Sequence, residues 1–81
     1  MGNSDKPIYE VVEDIAVLSE SGYTSKRLRL VSYNGAAPKL DVRTWKIYPQ
    51  DDTQSIFKGV TLTTEEAIAL RDALTEYLSA S

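Results

Sequence analysis

Eighty-one residues with no cysteine and no histidine exclude a disulfide framework, thiolate chemistry, and the commonest metal ligand and general base. The net charge of −3 excludes a coat of bulk positive charge for duplex DNA, yet residues 1–22 sum to −4, residues 23–60 to +4 and residues 61–81 to −3. A positive field is thus confined to the middle of an acidic chain, and so short a chain has a thin core that predicts stabilisation shared with a second copy.

The N-terminus, Met-Gly-Asn-Ser-Asp-Lys-Pro, lacks the apolar stretch of a secretion signal, and no apolar run is long enough to span a bilayer. The expectation is a soluble chain in the bacterial cytoplasm, with no membrane partner. Residues 1–7 read as a flexible arm ending at Pro7, and residues 8–79 as one domain without internal repeats. From Tyr9 to Ser19 the apolar residues are too dense and too β-branched for an amphipathic helix, which predicts a strand kinked or bulged near Glu13-Asp14. Ser19-Glu20-Ser21-Gly22 supplies turn chemistry.

Lys26 to Tyr33 alternates as a half-buried strand, and Asn34-Gly35 favours a reversal. Lys39 to Ile47 alternates again. With Leu28, Leu30, Leu40 and Val42 pointing inward, Arg27, Arg29, Tyr33, Lys39, Arg43 and Trp45 share the outward face. A polar loop over Pro49 to Gln54 leads to a fourth strand, Ile56 to Leu62, in which Gly59 marks a bulge or a close backbone approach. Thr63-Thr64-Glu65-Glu66 matches a capping box and opens a helix from Thr64 to Leu78, with Ala67, Leu70, Ala73, Leu74, Tyr77 and Leu78 on one stripe. The predicted fold is α+β: a four-stranded antiparallel sheet followed by one C-terminal helix, completed by homodimerisation, with Leu70, Leu74, Tyr77 and Leu78 as the dimer seam.

A face that interleaves cations with aromatic rings suits a splayed single strand, because each cation meets a phosphate and each ring stacks on a base. Trp45, opposite the inward leucines, is the predicted stacking platform, and Tyr33 a second. Asp41, standing among cations, reads as the carboxylate that orients Arg43 or a cross-strand arginine. Asp51-Asp52 reads as a solvated loop rather than a cation site, and Glu65-Glu66 as helix capping rather than an acid/base pair. Without histidine, cysteine or a phosphate loop, no enzyme, cofactor or metal is expected.

Leu28-Arg29-Leu30-Val31-Ser32-Tyr33, Pro38-Lys39-Leu40-Asp41-Val42-Arg43-Thr44-Trp45 and Lys58-Gly59-Val60-Thr61-Leu62 together resemble the PC4-like family, the transcriptional coactivator p15 and its bacterial YdbC-like counterparts. The resemblance covers nearly the whole ordered chain. It implies a curved-sheet homodimer that binds single-stranded DNA without catalysis, through Arg43, Trp45 and Lys58 and, at looser alignment, Arg29 and Lys39. It also implies a nucleoid-associated role linked to transcription, replication or repair, with the transcription machinery as a partner. Trp45 lies one residue closer to Arg43 than in the eukaryotic pattern. The expected function is non-enzymatic single-strand binding of low sequence specificity, with RNA as a further ligand of the same face. The competing reading is a protein–protein interaction module, a transcription-associated adaptor with little nucleic-acid affinity.

Overall fold

The computed structural model describes residues 8–50 and 53–80. The predicted arm over residues 1–7 and the Asp51-Asp52 loop lie outside the described residues. The chain forms β1 (Tyr9–Ser21), β2 (Thr24–Tyr33), β3 (Lys39–Tyr48), β4 (Thr53–Leu62) and α1 (Thr64–Ala80). The strands lie side by side in chain order, each antiparallel to the next, and the helix follows. This is the predicted α+β architecture. Among the described residues no helix is long and apolar enough to cross a membrane.

Local chemistry explains each junction. Ser21 pairs with Thr24 around a Gly22-Tyr23 turn, so Ser19 to Ser21 belong to the strand rather than to the turn predicted for them. Asn34 and Gly35 both have positive φ, 53° and 77°, and the Ala36 amide donates to the Tyr33 carbonyl at 3.0 Å, closing a type I′ reversal. β4 begins at Thr53, earlier than predicted, because Thr53, Gln54 and Ser55 complete the ladder against Tyr48, Ile47 and Lys46. At the helix start the Thr63 amide donates to Glu66 Oε1 at 2.9 Å and the Glu66 amide to Thr63 Oγ1 at 3.1 Å, the reciprocal capping box.

β1 is irregular. Its register against β2 shifts between Val11 and Glu13, between Asp14 and Ala16, and between Val17 and Ser19. The predicted kink near Glu13-Asp14 is thus one of a series of bulges, at Val12, Ile15 and Leu18, and all three of these side chains are exposed. A further shift, between Arg43 and Trp45, sets Phe57 and Lys58 of β4 against Thr44 alone. Next to it, Gly59 lies so close to β3 that a Cβ there would overlap the Arg43 Cβ and the Val42 carbonyl oxygen. The Gly59→Ala protein is expected to lose about 2 kcal/mol, as strained insertions into packed sites do. Urea unfolding checks this, and an unchanged midpoint would show that the two strands can part at no cost.

The core is not where the alternation places it. Leu28, Leu30, Leu40 and Val42 are only half-buried, whereas Val31, Trp45 and Asp41 on the opposite face are 0% exposed, and Ser25 and Arg29 beside them are buried. The cause is curl. Tyr9 pairs with Tyr33 and Trp45 with Ser25, eight residues apart on β2. In a flat strand that is about 26 Å, yet the Tyr9 and Trp45 rings sit 5.5 Å apart. The sheet therefore closes on its own long side chains, while α1, which touches only β3 and β4, buries none of its residues.

Candidate nucleic-acid interface

The curled face is organised by two carboxylates. Asp14 in β1 stands opposite Arg29, and its Oδ2 accepts from Arg27 Nη1 at 2.6 Å and from Arg29 Nη2 at 3.0 Å. Burial alone would raise the Asp14 pKa, but the hydrogen bonds and charges of Arg29 and Arg27 outweigh it and hold this carboxyl below its ordinary range. Asp41 in β3 is fully buried, and accepts from Arg43 Nε at 2.7 and 2.9 Å and from the Tyr33 hydroxyl at 3.0 Å. The orienting role read for Asp41 is what this geometry gives. Hydrogen bonding to Asp41 raises the Arg43 pKa further, against a smaller loss from burial.

Aromatic rings fill the space between these charges. The Arg29 guanidinium lies 4.5 Å over the Trp45 ring and the Arg43 guanidinium 5.5 Å over the Tyr33 ring. Tyr9 tilts against both Trp45 and Tyr33. Arg29 Nη1 also reaches across the curl to Gln54 Oε1 at 3.0 Å, and Arg43 Nη1 donates to the Phe57 carbonyl at 3.1 Å.

Tyr33 reports on this layer. Burial first, and then its bond to the Asp41 carboxylate, push its pKa from 10.0 up to about 12. The folded chain therefore keeps this proton where the unfolded chain loses it, so the bond's contribution to stability is full below pH 10 and is lost as pH rises through about 12. Ultraviolet titration of phenolate is expected to show one late tyrosine that the Tyr33→Phe protein lacks. A single transition shared by every tyrosine would contradict the bond.

Five of the predicted contact residues, Arg27, Arg29, Tyr33, Arg43 and Trp45, come together in this layer, but two are not open to a ligand. Trp45 is 0% exposed and Arg29 5%, so the expectation of a free stacking platform at Trp45 and a free phosphate contact at Arg29 is corrected. The curl brings Tyr9 onto one and Asp14 and Gln54 onto the other. Both retain buried donors without a hydrogen-bond partner, Arg29 Nε and Trp45 Nε1. Arg27 and Arg43 are half-buried, and Lys39 and Lys58 are exposed. Among the described residues no carboxylate pairs with either lysine. On the helix, Leu70, Leu74, Tyr77 and Leu78 are all exposed.

Sequence reasoning missed Tyr9, Asp14 and Gln54, which hold the layer together from the two outer strands, β1 and β4. Only the strand register reveals them, and the bulges in β1 conceal it. It also missed Tyr23, Lys46 and Tyr48, where the Lys46 ammonium lies 5.3 Å from the Tyr48 ring and the Tyr23 and Tyr48 rings are 5.3 Å apart. A tyrosine beside a turn glycine and a Lys-x-Tyr at a strand end were the available signals.

No family model matches the chain. An uncharacterized protein of Treponema pallidum (strain Nichols) is 43% identical to it over 67 residues, which cover 82% of this chain and 74% of the relative.

Proposed function

The chain belongs to the same family as the uncharacterized Treponema pallidum protein, and we propose that it is a non-enzymatic single-stranded DNA-binding protein, PC4-like in action, that works as a homodimer. The observation that carries this reading is the layer of stacked guanidiniums and rings on the curled face: three arginines share two carboxylates there, which leaves a positive excess. Lys39 leads β3 toward Asp41, and Lys58 flanks Gly59, the residue opposite Arg43, so exposed ammonium groups border the same strands. Phosphates meet the lysines and the open edges of Arg27 and Arg43, and Trp45 supports the layer from beneath. Such contacts tolerate any sequence and weaken with salt.

The homodimer rests on the other face. Val31 and Trp45 are the only buried apolar side chains among the described residues, whereas Val12, Ile15, Leu18, Val60, Leu70 and Leu74 are exposed. An apolar groove of about 330 Å³ runs between the sheet and α1, lined by Leu18, Leu28, Leu40, Leu62, Leu70 and Leu74. A monomer of this size cannot leave so much apolar surface wet and remain stable, and a second copy supplies a matching face.

The test is binding of a labelled single strand of about 20 nucleotides, longer than the usual site of one module, beside the matching duplex and RNA, with sedimentation to give the oligomeric state. The Lys39→Gln/Lys58→Gln protein is expected to bind more weakly, with the slope of log affinity against log salt reduced by about 1.4, or about 0.7 per lost phosphate contact. No binding to any nucleic acid at low salt would overturn the reading and leave the interaction module in its place.

A further inference from the structure

Beyond Trp45, at the end of the curled face where β1 turns into β2, a cavity of about 320 Å³ is lined by Glu20, Tyr23, Ser25, Arg27, Ile47 and Pro49. Its size lies at the small end of the range for ligand sites, about 300–1,000 Å³. Ile47, Pro49 and the half-exposed Tyr23 ring supply apolar walls, and the contact with Tyr48 steadies Tyr23. The Ile47 amide donates to the Tyr23 carbonyl at 2.9 Å, which ties the turn to β3 and fixes the mouth.

The polar groups are equally fixed. Arg27 donates through Nε to Ser25 Oγ at 2.8 Å and through Nη1 to Asp14, so its guanidinium is held while Nη2 has no partner among the described residues. Ser25 is itself 3% exposed. Glu20, paired with Ser25 across the strands, brings a carboxylate to the same cavity.

We propose that this cavity is a guanine-accepting subsite for one base of the bound strand, a reading that rests on the single-strand function above. Guanine offers acceptors, O6 and N7, on the edge that a guanidinium reads, and donors, N1–H and the N2 amino group, on the edge that a carboxylate reads. Adenine keeps N7 but puts a donor amino group where guanine has the O6 acceptor, and turns an N1 acceptor toward the carboxylate. A pyrimidine has no N7 and cannot offer a guanidinium and a carboxylate both sets of groups at once. The rest of the strand binds without preference, so the chain has one reading position on an otherwise tolerant track.

The experiment compares labelled thymidine strands of about 12 nucleotides, within the usual span of one binding module, carrying one central guanine, adenine or cytosine. The guanine strand is expected to bind roughly tenfold more tightly than the other two, the size of one good base contact. The Glu20→Gln protein, altered at an exposed residue, is expected to lose that preference, with circular dichroism confirming its fold. Equal binding of all strands would overturn the subsite and leave the single-strand function standing. A guanine preference that survives in Glu20→Gln would place the reading elsewhere and overturn it too. Failure of every strand to bind would overturn both.

Discussion

Trp45→Ala is expected to lower the stability of the chain by about 3–5 kcal/mol, the usual cost of truncating a buried large aromatic side chain. The indole is fully buried, with Arg29 stacked on one side and Tyr9 tilted against it. Removing it takes out the larger of the two buried apolar side chains and leaves the Arg29 guanidinium over a void. For a small domain whose whole stability is about 5–15 kcal/mol, such a loss approaches unfolding at room temperature. Urea unfolding followed by circular dichroism measures it. Since the chain has one tryptophan, its emission also reads the environment directly: a blue-shifted native band is expected, and a red, water-like band would show that the ring is not core. Loss of DNA binding in Trp45→Ala would therefore report on the fold, which is why the lysines carry the binding test.

Asp41→Ala is the second large effect, at about 3–5 kcal/mol, because it removes one partner of a buried charge pair. Arg43 would be left half-buried without its carboxylate, and the Tyr33 hydroxyl without its acceptor. Tyr33→Phe, which removes a single neutral donor, should cost only about 1 kcal/mol. Replacing Asp41 and Arg43 together with apolar residues of similar volume should cost less than Asp41→Ala alone, since no orphaned charge remains. Equal midpoints for wild type and Asp41→Ala would show that Arg43 finds water instead and that Asp41 orients nothing.

The two faces of the sheet were legible in the sequence, but their roles were not. β2 and β3 show in the alternation from Lys26 to Tyr33 and from Lys39 to Ile47, and the capping box fixes the start of α1. Alternation separates one face from the other, yet it cannot say which becomes dry. The usual rule assigns leucine to the interior and arginine to water. Here the curl brings long side chains of one face within reach of each other, so Arg29 stacks on Trp45 and bonds Asp14 and Gln54, Asp41 holds Arg43 and Tyr33, and the layer excludes solvent, while the leucines face a helix that barely covers them. Curl of this degree comes from bulges, and bulge positions leave little trace in sequence. The pairing of Asp41 with Arg43 was legible because both lie on one strand; the clasp of Asp14 on two arginines was not, because it depends on register across a bulged ladder.

The same bulges govern how the molecule meets its neighbours. β1 and β4 are the outer strands, and a straight outer strand offers a row of free amides and carbonyls on which another chain can build. β1 is broken at Val12, Ile15 and Leu18, and β4 carries its own extra residue beside Gly59, so neither border presents a continuous template. The chain is thereby guarded against runaway strand-by-strand stacking into fibres, even though it exposes many apolar side chains, and any second copy is directed to the flat of the sheet.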